Sequence, residues 1–127
     1  MILRAFAVWL LIVLVETVHG ILRTLFLAPL TGDFRARQIG VFTGSLLILA
    51  IATLTIRWLR LPTRAQQLQV GALWLAAMVA FEISFGRWVA NQPWERILAD
   101  YNISAGGLLP FGMLVLLLSP LIAARLR

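Results

Sequence analysis

Four long apolar stretches, separated by short polar connections, run through the sequence. They predict helices over about residues 3–25, 39–56, 68–89 and 103–124. An apolar helix of about 20 residues is long enough to cross the hydrocarbon core of a bilayer. The pattern therefore predicts an all-α integral membrane protein with four transmembrane helices, forming a single domain over residues 1–127.

Prolines and polar residues mark the predicted ends and bends of these helices. Pro29 is expected to end the first helix, and residues 30–38 are expected to form a polar connection at the interface. Residues 91–102 are amphipathic, which favours a connection that lies flat on the membrane. Pro110 and Pro120 fall within the fourth apolar stretch and predict kinks there.

The third helix repeats the order of the notable residues of the first at an offset of about 66 residues. In each helix a glutamate is followed by a glycine and then by an arginine: Glu16, Gly20 and Arg23, and Glu82, Gly86 and Arg87. The agreement predicts a duplicated helical hairpin, with one repeat over about residues 1–64 and the other over about 65–127. Each hairpin crosses the membrane twice, so the halves would run in the same direction.

The composition agrees with lipid as the natural solvent. Hydrophobic residues make up 61% of the chain and charged residues 13%, about half the charged fraction of a soluble domain. The net charge is +6, and every basic residue is an arginine. The arginines lie at the ends of apolar stretches and do not cluster on a polar domain. Their positions are therefore explained by the orientation of the chain in the membrane, and binding of nucleic acid is not expected. The chain has no cysteine, which excludes disulfides, thiolate metal sites and cysteine nucleophiles.

The distribution of arginines predicts which side of the membrane each connection faces. Four crossings place both termini and the turn after the second helix on one side. The arginines of that side are Arg4, Arg57, Arg60, Arg64, Arg125 and Arg127. The other arginines lie toward the opposite side, so the modest excess predicts an inner-membrane protein with both termini in the cytoplasm. Insertion in both orientations remains an alternative.

Charged residues inside the first and third helices form the candidate site. Glu16, His19 and Arg23 share one helix face, and Glu82 and Arg87 form the corresponding group in the third helix. An acid within hydrocarbon costs about 2.5–3.5 kcal/mol on insertion scales, so it needs a partner or a function. One interpretation is a structural ion pair with an arginine. The other is a site that binds and releases protons or cations.

His19 is the only histidine, and its spacing allows two metal hypotheses. Glu16 and His19 have the spacing used by di-iron helical bundles, which need two such motifs and further carboxylates. A complete di-iron site, or a haem held by two histidines, would therefore need two chains. A histidine hydrogen-bonded to Glu16 is the favoured interpretation. No metal or cofactor is expected, and the sequence contains no catalytic constellation that predicts an enzyme.

Four glycines are candidates for helix packing. Gly40 and Gly44 have the GxxxG spacing that lets two backbones approach closely in lipid. Gly20 and Gly86 each follow their glutamate by one turn, where a glycine makes room for a neighbouring helix or a small ligand.

The favoured functional interpretation is a small structural or accessory component of the inner membrane, with a buried cluster of Glu, His and Arg. The alternative is a proton- or cation-coupled transporter that acts as a homodimer. In its short four-helix architecture and its first-helix glutamate, the chain is similar to small multidrug-resistance transporters, although Glu82 has no counterpart in their pattern. A metal- or haem-dependent membrane enzyme subunit is the second alternative.

The partners expected are the lipid bilayer, a second copy or a larger membrane complex. A cavity reaching Glu16 or Glu82 would favour the transporter, and burial of both against arginine would favour the structural component.

Overall fold

The computed structural model describes residues 2–126. Its helices are α1 (Ile2–Leu22), α2 (Ala28–Thr31), α3 (Asp33–Leu59), α4 (Arg64–Ser84), α5 (Trp94–Ala99) and α6 (Leu109–Leu126). π-helical turns cover Arg23–Leu27 and Phe85–Val89, and a 3₁₀ turn covers Ile103–Ala105. Arg127, which contributed to the predicted orientation, lies outside the described residues.

Four helical segments are long and apolar enough to cross a membrane. They are Ile2–Thr31, Asp33–Leu59, Arg64–Val89 and Leu109–Leu126. Residues 2–126 contain no strand. The prediction of an all-α membrane protein with four spanning helices is therefore confirmed.

The first connection is shorter than predicted. Pro29 does not end the helix, because it lies in the first turn of α2, where a missing N–H is tolerated. Gly32, with φ of 90°, separates α2 from α3. Residues 33–38, predicted as a polar connection, form the first turns of α3 instead.

The last helix starts later than predicted. Residues 103–108 are outside it because Gly106 adopts φ of 91° and ends the 3₁₀ turn. Gly107 passes so close to the backbone of Ala99 that a Cβ atom there would overlap its carbonyl oxygen. Pro110 consequently lies in the first turn of α6 and interrupts no helix, whereas Pro120 lies within α6.

The four long helices form a ring in the order α1, α3, α6, α4. α3 packs on α6, α1 packs on α3, α4 packs on α6, and α1 and α4 also touch each other. α1 and α4, the corresponding helices of the predicted repeats, are therefore neighbours in the ring, as are α3 and α6. The duplication itself stays a prediction.

The packed core lies toward one end of the bundle, here named the termini end because α1 begins and α6 finishes there. The buried residues of α1 are Ala5, Val8 and Ile12, which all lie in its first half. Trp74 of α4 is fully buried, and its indole Nε1 donates a hydrogen bond to the Ala5 carbonyl at 2.8 Å. These contacts join α1 to α4 at the termini end. The opposite end, with α2 and α5, is named the loop end.

Candidate functional site

A partly open cavity of about 450 Å³ lies in the loop-end half of the bundle, bounded by α1, α3, α4 and α6. Its charged and titratable lining residues are Glu16, His19, Arg23, Arg37, Glu82, Arg96 and Asp100. Met78 and Phe81 of α4, with Phe85 at the start of the following π-helical turn, add an apolar wall. The cavity therefore brings together all the predicted ionisable site residues except Arg87.

Glu16 lies against both its own helix and α3. Its Oε2 is 3.6 Å from Nδ1 of His19, and the two side chains are 20% and 19% exposed. The other oxygen, Oε1, is buried and has no hydrogen-bond partner among residues 2–126. A buried carboxylate oxygen without a partner is unfavourable. Glu16 therefore retains an unused acceptor at the cavity.

His19 is hydrogen-bonded to α3, and its predicted hydrogen bond to Glu16 is not formed. Nε2 lies 2.6 Å from Oγ1 of Thr43, while the 3.6 Å separation from Glu16 is too long for a hydrogen bond. If Thr43 donates, Nδ1–H of the ring faces Glu16. If Thr43 accepts, Nε2 carries the hydrogen and Nδ1 of a neutral ring carries none. A proton on Nδ1 or on the Glu16 carboxyl is then needed for these two groups to attract each other. The contact between the two residues therefore depends on which of them carries a proton.

Glu82 is an exposed residue on an otherwise buried helix face. Met78 and Gly86, one turn before and one turn after it, are both buried. Because Glu82 lines the cavity and shares its face with these residues, its exposed surface belongs to the cavity wall. Glu82 is therefore exposed at the cavity although it lies within the bundle.

Neither glutamate forms a direct ion pair with an arginine within residues 2–126. Arg23 lines the cavity at the start of the first π-helical turn. Arg87 points elsewhere, with its guanidinium 5.7 Å from the ring centroid of Trp94.

Helical spacing explains why Arg23 and Arg87 differ. Arg23 follows Glu16 by seven residues, which returns it to within about 20° of the same face. Arg87 follows Glu82 by five residues, which places it about 140° away on an ideal helix. The two helices share the order of residues but not the spacing that determines the face.

The predicted packing glycines mainly make room for side chains. A Cβ at Gly44 would lie 2.8 Å from Oε2 of Glu16, and a Cβ at Gly40 would lie 3.0 Å from Cδ of Arg23. These two positions allow the charged side chains of α1 to lie across α3. Gly20 meets only an Arg23 nitrogen at 3.9 Å.

Gly86 and Gly71 have different roles. Gly86 accommodates the segment that leads to α5, since a Cβ there would approach Gln92 and Ile97. Close backbone packing occurs at Gly71 of α4, where a Cβ would overlap the carbonyl oxygen of Leu117 in α6. Sequence reasoning missed Gly71 because it belongs to no GxxxG pair.

A chain of alternating charges, here named the clasp, closes the loop end of the cavity. It consists of Asp33, Arg37, Arg96 and Asp100. Arg37 NH1 lies 2.8 Å from Asp100 Oδ1, and Arg37 Nε lies 3.3 Å from Asp33 Oδ2. Arg96 NH2 donates to both oxygens of Asp33 at 3.0 Å. The clasp ties α5 to the start of α3, and sequence reasoning missed it. In the sequence, the clasp is indicated by two pairs of oppositely charged residues with i,i+4 spacing. In one pair the acid comes first (Asp33 and Arg37), and in the other the arginine comes first (Arg96 and Asp100).

Tyr101, in the connection after α5, adds a hydroxyl near the clasp. Its oxygen is buried and has no hydrogen-bond partner within residues 2–126. Burial raises the pKa of Tyr101 to about 12, and the charges of Glu82 and Asp100 add to the effect. The hydroxyl therefore stays protonated and neutral at physiological pH.

The cavity offers carboxylates and aromatic surface, which suit a proton or a cation. No group of three or more metal-binding side chains in residues 2–126 lies close enough together to hold a metal ion. No protein-family model, no curated protein sequence and no solved structure matches this chain.

Proposed function

We propose that the protein is a small transporter of the inner membrane that exchanges protons for small organic cations at Glu16 and Glu82. The observation that carries the proposal is a cavity that reaches both carboxylates, neither of which is paired with an arginine. Carboxylates held within a membrane protein are commonly used to move protons and ions. The favoured sequence interpretation, a structural component, expected both glutamates to be buried against arginine.

The cavity lining favours an organic cation as the substrate. Phe81 and Phe85 stack with their ring centroids 5.5 Å apart on the cavity wall. Aromatic faces attract cations, most strongly where water is excluded. The volume of about 450 Å³ lies within the range of small-molecule sites. Carboxylates beside aromatic rings therefore support an amine or quaternary ammonium with apolar substituents.

Competition for the carboxylates would couple the two fluxes. A protonated carboxyl has lost the charge that attracts a cation, so Glu82 can hold a proton or a cation. Glu16 and His19 can store a proton between them, next to the same cavity. Binding of the cation would then release protons, and protonation would release the cation.

The termini end must open for transport, because Trp74 and the buried residues of α1 fill that half of the bundle. Four short helices enclose little space alone, so we expect a homodimer or a larger membrane complex. The absence of an enzymatic activity stays a prediction.

Liposomes that contain a pH-sensitive dye provide the test. Benzyltrimethylammonium is added outside liposomes that contain the purified protein, and the internal pH is recorded. We expect the interior to become alkaline as cations enter and protons leave. Glu16→Gln and Glu82→Gln should reduce the rate to that of liposomes without protein, because an amide cannot titrate.

Glu95→Gln is the matched control, since Glu95 is exposed on α5 and does not line the cavity. It should exchange at the rate of the unaltered protein. Unchanged exchange in the Glu16 and Glu82 variants would contradict the proposal. Lower thermal stability in those variants, with no exchange by the unaltered protein, would instead support the structural component.

A further inference from the structure

A second open hollow, of about 500 Å³, lies at the termini end of the bundle, far along the helices from the cavity. It is formed where α3 ends, α4 begins and α6 approaches its last turn. Arg57 and Arg60 provide its charge, and Ile56, Leu61 and Ala124 provide apolar surface. Positive charge beside apolar surface is the pattern expected of a site for an anionic amphiphile.

The two arginines of the hollow are unneutralised. Both are exposed, and neither takes part in an ion pair or hydrogen bond found within residues 2–126. Arg4, nearby, is engaged: its NH1 donates to the Trp58 carbonyl at 2.8 Å, and its guanidinium lies over the Trp58 ring at 5.3 Å. Arg57 and Arg60 therefore remain available for a ligand.

No acid of the sequence belongs to this end. The acidic residues are Glu16, Asp33, Glu82, Glu95 and Asp100. Three of these, Glu16, Glu82 and Asp100, line the cavity, and Asp33 and Glu95 lie at the loop end beyond it. An external anion would therefore meet no competing carboxylate at the hollow.

The backbone around the hollow is held in place by its own hydrogen bonds. α3 ends at Leu59, and the residue that follows, Arg60, adopts the left-handed conformation with φ of 54°. Thr63 caps α4 by accepting a hydrogen bond from the Gln66 amide at 3.2 Å. The buried side chain of Gln67 donates from Nε2 to the Leu61 carbonyl at 3.1 Å. The turn therefore presents Arg57 and Arg60 from a defined frame, which lowers the entropy lost on binding.

Trp58 indicates the depth of the hollow in the membrane. It lies between the two arginines in sequence and is 50% exposed. Exposed tryptophans of membrane proteins prefer the level of the lipid headgroups. The guanidinium groups beside it would then lie at the level of the lipid phosphates.

We propose that this hollow binds the phosphate headgroup of an anionic phospholipid. Two guanidinium groups can donate several charge-assisted hydrogen bonds to phosphate oxygens. The glycerol region of the lipid would lie against the apolar surface. The predicted orientation places the hollow in the cytoplasmic leaflet, which carries the negative lipids. The site is separate from the cavity and does not depend on the proposed transport.

Native mass spectrometry of the purified protein can measure lipid retention. The probes are dioleoylphosphatidylglycerol and dioleoylphosphatidylcholine, added at equal concentration in detergent. We expect the unaltered protein to retain phosphatidylglycerol preferentially. Each arginine near a lipid phosphate contributes about a fivefold change in affinity, so Arg57→Gln/Arg60→Gln should weaken retention about 25-fold.

A control pair with the same loss of charge is Arg35→Gln/Arg87→Gln, since both residues lie toward the loop end and outside the hollow. It should weaken retention far less than the hollow pair does. Equal losses of phosphatidylglycerol retention in the two double variants would show that the lipid is held by general charge attraction, and would overturn the proposed site. Equal retention of the two lipids by the unaltered protein would also overturn it. Displacement of the lipid by an equal concentration of inorganic phosphate would identify a soluble anion as the ligand, and would overturn the lipid proposal.

Discussion

Glu16 and Glu82 line the same cavity, but their immediate surroundings differ. Glu16 is mostly covered, with His19 on its own helix and Gly44 of α3 beside its Oε2 atom. Glu82 has buried neighbours one turn away on either side and is itself exposed. The first arrangement suits storage of a proton with histidine, and the second suits direct contact with a ligand. We therefore expect the two Gln variants to differ in ligand affinity, with the larger loss at Glu82.

Tyr101 gives a pH-dependent prediction at the scale of one residue. Burial raises its pKa to about 12 in the folded protein, compared with about 10 in an unfolded chain. It is the only tyrosine, so absorbance of tyrosinate at 295 nm reports on it alone. At pH 11 we expect about one tenth of Tyr101 to be ionised in the folded protein and about nine tenths in denaturant.

The sign of the stability effect follows from the same shift. The folded state holds the tyrosine proton more tightly, so this contribution to stability is complete below pH about 10 and is lost as the pH rises toward about 12. The denatured protein serves as the control. A midpoint near pH 10 in the folded protein would show that the hydroxyl is open to water.

Among the elements, α5 is the one whose position depends most on charge. It is six residues long, too short to be a stable helix alone, and the clasp ties it to the first turns of α3. Arg37 is central to the clasp because it contacts both Asp33 and Asp100. Its side chain is 11% exposed, so water screens these contacts less than it would at a surface.

Arg37→Gln should release α5 from the bundle. Loss of a charge-assisted hydrogen bond of this kind costs about 2 kcal/mol, which corresponds to about 30-fold faster hydrogen exchange of the protected α5 amides. Hydrogen–deuterium exchange with mass spectrometry of residues 93–102 measures it. Arg35→Gln, two residues earlier and exposed, should leave the exchange unchanged. Similar exchange in both variants would mean that apolar contacts alone hold α5.

Element boundaries show where sequence reasoning succeeded and where it could not. Hydrophobic length gave the four spanning helices, because the bilayer imposes that length on any helix. It failed at Pro29 and at residues 33–38, where polar composition resembles a loop although the backbone stays helical. Glu16, His19, Arg23 and Glu82 were predicted, since charge within an apolar helix is conspicuous. The clasp depends on pairing between distant segments, which helix periodicity does not reveal.

At the scale of the whole molecule, the arginine distribution predicts one orientation in the membrane. Ala65→Cys and Asn102→Cys test it, because both residues are exposed and uncharged and the chain has no native cysteine. In intact cells, a membrane-impermeant maleimide should label position 102 and should leave position 65 unlabelled until the cells are opened. The reverse pattern would contradict the prediction, and equal labelling of both would show insertion in both orientations.

The absence of acids around the termini-end hollow has an electrical consequence. Within residues 2–126, the five acids are matched by the five arginines outside the termini end, so the other five arginines leave a net charge of +5 at the termini end. Moving a charge across a membrane at 100 mV involves work of about 2.3 kcal/mol. For a cell whose interior is negative, voltage would therefore favour cytoplasmic termini by about 12 kcal/mol. The membrane voltage would therefore stabilise the finished topology against inversion, although the count of arginines on the two sides is nearly even.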